Sequence, residues 1–222
     1  PYRYNGKLYA LPDSQSFFIM FLRTDIMKNL ELKTPETWEE FLHTAAIIQR
    51  NNMNVYLPYT QITSVGTVNS GIGSLNMLPT LFAQNGLSFF NEGKNATALT
   101  GSDAVGVFEK WTEFYTDYNF LKEADFYNRF RLGSMPLGIA PIATYMSLYA
   151  AAPEIKGRWT IAAVPGTVTA DGDINRSIAG AGTGCAIIEK SEKKDEAWEF
   201  LKWWTSAAAQ ERYKNSIESI LG

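Results

Sequence analysis

The sequence predicts an α/β fold. Helical runs with one apolar face alternate with short apolar runs that stop at Pro or Gly, the pattern of a mixed architecture. The 222 residues are 45% hydrophobic and 19% charged, ordinary for a globular protein and enough for one large or two small domains. Several functions are excluded early. Cys185 is the only cysteine and His43 the only histidine, so an internal disulfide and a cysteine zinc cluster are impossible. Zinc enzymes and His-based triads are nearly excluded as well. A net charge of −3 gives no electrostatic case for nucleic acid or an anionic membrane. No run approaches the roughly 18 apolar residues of a membrane span.

The elements follow in order. Asn5-Gly6 is a two-residue turn signal, because Gly takes a positive φ without steric cost. Leu8–Leu11 reads as a buried strand that Pro12 is expected to stop, leaving Asp13-Ser14-Gln15-Ser16 as a polar loop. Phe17–Leu22 is a second apolar run, ended by Arg23-Thr24-Asp25. A helix is expected next, with Thr34 as N-cap and Pro35 at its first position. Trp38, Phe41, Leu42, Ala45 and Ile48 form its inner face, His43 lies on its polar side, and Asn51-Asn52 ends it. Val55–Tyr59 is a short strand stopped by Pro58, followed by a polar, Gly-rich stretch from Thr60 to Ser74. A helix over Leu75–Gln84 stops at Asn85-Gly86.

Asn95-Ala96-Thr97 fits a glycosylation acceptor, a weak signal by itself. Ser102-Asp103 caps a helix with Val105, Phe108, Thr112 and Tyr115 on one face and Trp111 beside it. Asp125–Leu132 is helical and ends at Gly133. Trp159–Val164 is a strand closed by Pro165-Gly166, and Asp171-Gly172-Asp173 is a hairpin-like turn. Ser177–Ile188 reads as a Gly-rich strand pair. A long helix starts at Ser191 or Asp195, with Ala197, Phe200, Leu201, Trp204 and Ala208 inward. Trp198, Trp203 and Trp204 fit helix packing better than a ligand platform.

Three stretches carry a family resemblance: Asn5–Pro12, Leu22–Leu30 and Lys33–Phe41. Together they resemble the extracellular solute-binding proteins of ATP-driven importers, in the branch of the maltodextrin-binding type. Gly133–Ala140, with Phe130 as its aromatic, resembles the family's F-x-x-G-x-x-x-M element. Trp159–Gly166 resembles its W-x-x-x-x-x-P-G strand. The resemblance implies a periplasmic-binding-protein-like two-lobe fold, mostly the second lobe with part of the first. Residues 1–12 would be the hinge and crossing strand, 13–176 the second lobe, and 177–222 the return strands and helix of the first. Leu8–Leu11 and Cys185–Ile188 would run side by side as the crossing strands. The pattern starts in mid-family, so the expectation is a piece of a longer chain whose signal and lipid anchor precede it.

A sugar site needs aromatic faces for the apolar face of a pyranose and planar polar groups for its hydroxyls. The resemblance brings Ser14, Gln15 and Ser16 into the ligand loop, with Ser16 aligned best; turn capping is their other reading. Tyr59, Thr60 and Gln61 follow the next strand, with Asn69 a weaker candidate, and all could equally be surface loop. Tyr145 stands near where many members carry a stacking Trp, although it is also spaced to pack with Leu148 and Tyr149. Gly180 and Gly182 lie in a segment that lacks the strand-to-helix context of a nucleotide loop. Their small size fits a backbone passing close to a ligand or another strand.

The expected function is non-catalytic: a sugar or oligosaccharide is bound and passed to the membrane permease of an ABC importer by closure of the lobes, with no metal or cofactor. The protein would act as a monomer outside the cell or at its surface. Two other classes compete. A glycoside hydrolase needs paired carboxylates across a cleft, whereas Glu109 and Glu113 lie one turn apart on one helix and read as a solvated face. A surface-attached receptor without a transport role is the third class.

Overall fold

A computed structural model describes residues 2–59, 76–93 and 95–221. The chain begins with β1 (Arg3–Tyr4), β2 (Lys7–Leu8), β3 (Leu11–Arg23), α1 (Thr24–Asn29), α2 (Trp38–Arg50) and β4 (Val55–Tyr56). It continues with α3 (Leu78–Gln84), α4 (Ser102–Thr116), α5 (Phe126–Arg131), β5 (Leu137–Pro141), α6 (Ala143–Ala151) and a 3-10 turn at Pro153–Ile155. The last elements are β6 (Trp159–Ala162), β7 (Thr167–Val168), β8 (Ile174–Asn175), β9 (Gly180–Cys185), α7 (Lys194–Trp204) and α8 (Ala207–Leu221). The described residues form two compact units, one from 17–180 and one from 2–16 with 181–221. Among the described residues the chain passes from one unit to the other after Ser16 and after Gly180. No helix among the described residues is long and apolar enough to cross a membrane.

The first of these units is built on the second half of β3. Phe18, Met20 and Leu22 enter one apolar cluster, and Ile19 and Phe21 the other, so successive side chains feed opposite faces of the sheet. A strand buried on both faces reads as an unbroken apolar run, which is why Phe17–Leu22 stands out in the sequence. The order is β4-β5-β3-β6, with β3 antiparallel to β5 and β6 and with β4 parallel to β5. Helices α2, α3 and α4 cover one face, and α5 and α6 the other.

Local chemistry corrects several expectations. Pro12 does not stop a strand: it is the exposed second residue of β3, which runs unbroken for 13 residues to Arg23. Proline is tolerated near a strand's start, where little is asked of its missing N–H. Asp13–Ser16 are therefore strand and not loop. Helix α2 is capped by Thr37 and not by Thr34-Pro35. Thr37 Oγ1 accepts from Glu40 N, while Glu40 Oε2 accepts from Thr37 N, a reciprocal pair that Thr34 has no acid in register to form. Helix α4 buries Ala104, Val107, Trp111, Phe114 and Tyr115 and exposes Val105 and Phe108. Its sequence holds two apolar stripes, and the one carrying Phe114 meets Trp38 at 5.4 Å and Phe120 at 6.0 Å.

The unit's interior also holds polar side chains, and two of them, Gln84 and Arg23, are tied to several partners. Gln84 is 2% exposed; its Oε1 accepts from Trp38 Nε1 and Thr167 Oγ1, and its Nε2 donates to Pro165 O. Arg23, 6% exposed, donates Nε and Nη2 along one edge of its guanidinium to the two Asp25 carboxylate oxygens, and donates Nη1 to the carbonyls of Phe130 and Arg131 at the end of α5. Phe130 O also accepts from Gly133 N, and a cation at the carbonyl end of a helix is favourable.

The other unit holds the β1–β2 hairpin, turned at Asn5 and Gly6 with φ of 47° and 74°. Leu8 belongs to this hairpin and Leu11 to β3, so Leu8–Leu11 is not one strand. The expected strand pair at Ser177–Ile188 is the single strand β9, which ends at Cys185 and pairs with β3. Helix α7 begins at Lys194, and of its expected inner face only Leu201 is buried, while Phe200 is 56% exposed.

Candidate functional site

On the α5–α6 face of the sheet, a cavity of about 350 Å³ lies between helix α6 and strand β6. Tyr145, Leu148 and Tyr149 supply one wall, with Ala152 at its end; Lys156, Gly157, Trp159, Thr160 and Ile161 supply the other. The two tyrosines are a helical turn apart, so their rings sit side by side on one face. Their centroids are 6.1 Å apart with planes 10° from parallel, an offset step and not a face-to-face stack. Trp159 meets Tyr145 edge-on at 5.4 Å and is itself held by Phe21 and Phe130. The step therefore has a buried support, while Tyr145 is half-buried and Tyr149 exposed.

The polar groups on this wall are Lys156, Thr160 and the two phenols. No carboxylate lines it. Glu109 and Glu113 are exposed on α4, and Glu154 is held by Arg131 at 2.6 Å.

The other expected residues lie elsewhere. Tyr59 packs against the α4 side: its ring stacks on Trp111 at 5.4 Å with planes 4° apart and takes the edge of Tyr115 at 4.7 Å. Lys122 Nζ stands 5.5 Å from its centroid. Thr60, Gln61 and Asn69 are outside the described residues. Gly180 is exposed at the start of β9.

In the smaller unit, Ser14 Oγ and Thr183 Oγ1 are 2.6 Å apart across the β3–β9 pair. Thr183 Oγ1 also donates to Asp13 Oδ2, and Trp204 Nε1 donates to Asp13 Oδ1 at 2.7 Å. The Ser14 hydroxyl thus has a cross-strand partner; Gln15 is exposed and Ser16 buried. Gly182 is small because a Cβ there would stand 2.8 Å from Ser14 O, and one on Gly184 2.7 Å from the Tyr2 ring. The close neighbour of these glycines is protein. Partial burial, with the nearby Asp13 carboxylate adding to it, pushes the Cys185 thiol above its usual range, away from thiolate reactivity.

Among the described residues, Tyr145 is the one expected site residue that lines the α6–β6 cavity. Tyr149, Lys156, Trp159 and Thr160 were not among the expected residues. The i,i+4 spacing of Tyr145 and Tyr149 is the signal that could have found the second ring; Lys156, Trp159 and Thr160 come from a separate turn and strand.

Residues 1–218 match the family model described as bacterial extracellular solute-binding protein. No curated protein sequence matches the chain. Among solved structures, the sugar-binding protein MalE of Xanthomonas citri is similar over 96% of this chain and 52% of its own, at 16% identity and a TM-score of 0.74. The GacH receptor of Streptomyces glaucescens, studied unliganded and with acarbose, is similar over 94% and 51%, at 17% identity and 0.70. An ABC transporter solute-binding protein of Thermotoga lettingae bound with α-D-tagatose is similar over 97% and 54%, at 18% identity and 0.69. The chain spans about half the length of these structures and shares the fold of the part it spans.

Proposed function

The chain belongs to the bacterial extracellular solute-binding proteins, and from that premise we propose that it binds a sugar or oligosaccharide without catalysis and passes it to the permease of an ABC importer. The observation that carries the carbohydrate part is the offset pair of Tyr145 and Tyr149 in a cavity with polar groups on its rim. Flat rings take the C–H face of a pyranose, and hydroxyl or ammonium groups reach its oxygens. The ligands of the structural neighbours, acarbose and tagatose, support the same class.

Delivery by closure between lobes, action as a monomer, and retention at the cell surface by a lipid anchor all belong to this proposal. Among the described residues the chain passes between units in β3 after Ser16 and in β9 after Gly180, and a hinge would bend there. Ser14, Gln15, Ser16, Gly180 and Gly182 sit at those passages and would respond to closure, while Tyr145 holds the sugar.

The test is a thermal-shift screen of sugars on the full-length protein. A true ligand raises the melting temperature in proportion to RT ln(1 + [L]/Kd), about 2.7 kcal/mol of stabilisation at 100 Kd. No shift with any saccharide, together with a shift from a peptide or another polar solute, would overturn the carbohydrate reading.

A further inference from the structure

The side chains that line the α6–β6 cavity include one cation and no anion. Its ammonium (Lys156) and indole (Trp159) only donate, and its hydroxyls (Thr160, Tyr145, Tyr149) can donate as well as accept. No carboxylate or amide side chain lines it. A neutral sugar can use the hydroxyls of this wall but leaves the Lys156 charge without a counter-charge. An anion only accepts.

The charges around the cavity lean the same way. Among the described residues neither Lys156 nor its neighbour Arg158 has an ion-pair partner. Glu154, the nearest acid along the chain, is engaged by Arg131. An unpaired cation beside an aromatic step therefore stands in a cavity without a counter-charge.

We propose that this cavity takes a saccharide carrying an anionic group, its ring against Tyr145 and Tyr149 and its anion on Lys156. The shared chemistry is an acceptor-only oxyanion on a pyranose, either a uronate carboxylate or a phosphate ester. Lys156 reads it as a point charge, so the preference is for charge more than for planar geometry. The proposal rests on the carbohydrate reading above and narrows it.

Calorimetry on the full-length protein tests it with two matched pairs: α-1,4-digalacturonate against its dimethyl ester, and maltose 6′-phosphate against maltose. The charged member of at least one pair is expected to bind roughly threefold to tenfold more tightly, the range of an ion pair at a partly open site. The pair that shows the preference identifies the source of the anion. The preference should shrink as salt is raised. K156Q should abolish it and leave the melting temperature unchanged, because Lys156 is exposed. Equal or tighter binding of the neutral member in both pairs overturns this proposal and leaves the carbohydrate reading standing, as does a preference that survives K156Q. Binding of no saccharide, here and in the sugar screen, overturns both.

Discussion

The two units of the chain use aromatic residues in opposite ways. In the unit of residues 17–180, Trp38, Phe18, Phe21, Phe41, Phe114 and Phe130 are fully buried; Trp38 meets Phe41 and Phe114 on one face of the sheet, and Phe21 meets Phe130 on the other. In the unit of 2–16 and 181–221, only Leu201, Ala209 and Ser16 are buried among the described residues, while Trp198, Phe200, Trp203 and Tyr213 are 41%, 56%, 54% and 51% exposed. The first unit has a core of its own, and its aromatics report on folding. The second presents its aromatics to the surface, so amphipathic spacing there marks a face without marking what covers it.

The largest effect expected from this contrast compares two indoles. Trp38→Ala should cost about 3–5 kcal/mol, since it removes a fully buried ring and a hydrogen bond to Gln84. Trp203→Ala should stay within about 1 kcal/mol. Urea denaturation of both variants measures the gap, and similar losses would break the comparison.

Next in size is the β3–β9 contact of the smaller unit. Gly182→Ala puts a methyl group 2.8 Å from the Ser14 carbonyl oxygen, so backbone must move. A loss of about 1–3 kcal/mol is expected. A neutral outcome would mean that this unit adapts as freely as its exposed helices suggest.

Tyr145 sharpens the comparison, because it lies in the well-cored unit but is half-buried. Tyr145→Ala should weaken sugar binding by about 1–2 kcal/mol while destabilising the fold less than Trp38→Ala does. A stability loss of about 3–5 kcal/mol would class the ring with the core and remove it from the site.

The smallest effect concerns acid. Hydrogen bonds from Arg23 hold the Asp25 carboxyl below its ordinary range, with burial opposing them. A lowered folded-state pKa stabilises the protein above the ordinary carboxylate value, and that contribution is lost as pH falls through the lowered value. The wild type should therefore lose a little stability below about pH 4 that Asp25→Asn does not lose. The difference is small because Asp25 is partly exposed and the pair is screened. Thermal melts from pH 6 to pH 2 on both proteins would show it.

The sequence by itself determined the elements whose information is local. The Asn5-Gly6 turn, the buried strand at Phe17–Leu22, the inner face of α2 at Trp38, Phe41, Ala45 and Ile48, and the stop at Gly133 depend only on backbone preference and side-chain spacing. The ordered motifs from Asn5 to Gly166 indicated the family. Tertiary structure decided whatever depended on a partner. Pro12 could stay in a strand because of where it falls in β3, and α4 turned its Phe114 stripe inward because Trp38 and Phe120 were there to meet it. The candidate site was legible only at Tyr145. Its neighbours Trp159 and Thr160 are brought to it because β6 pairs with β3 beside α6, and Lys156 comes from the turn that leads into β6, a proximity that no spacing along the chain encodes.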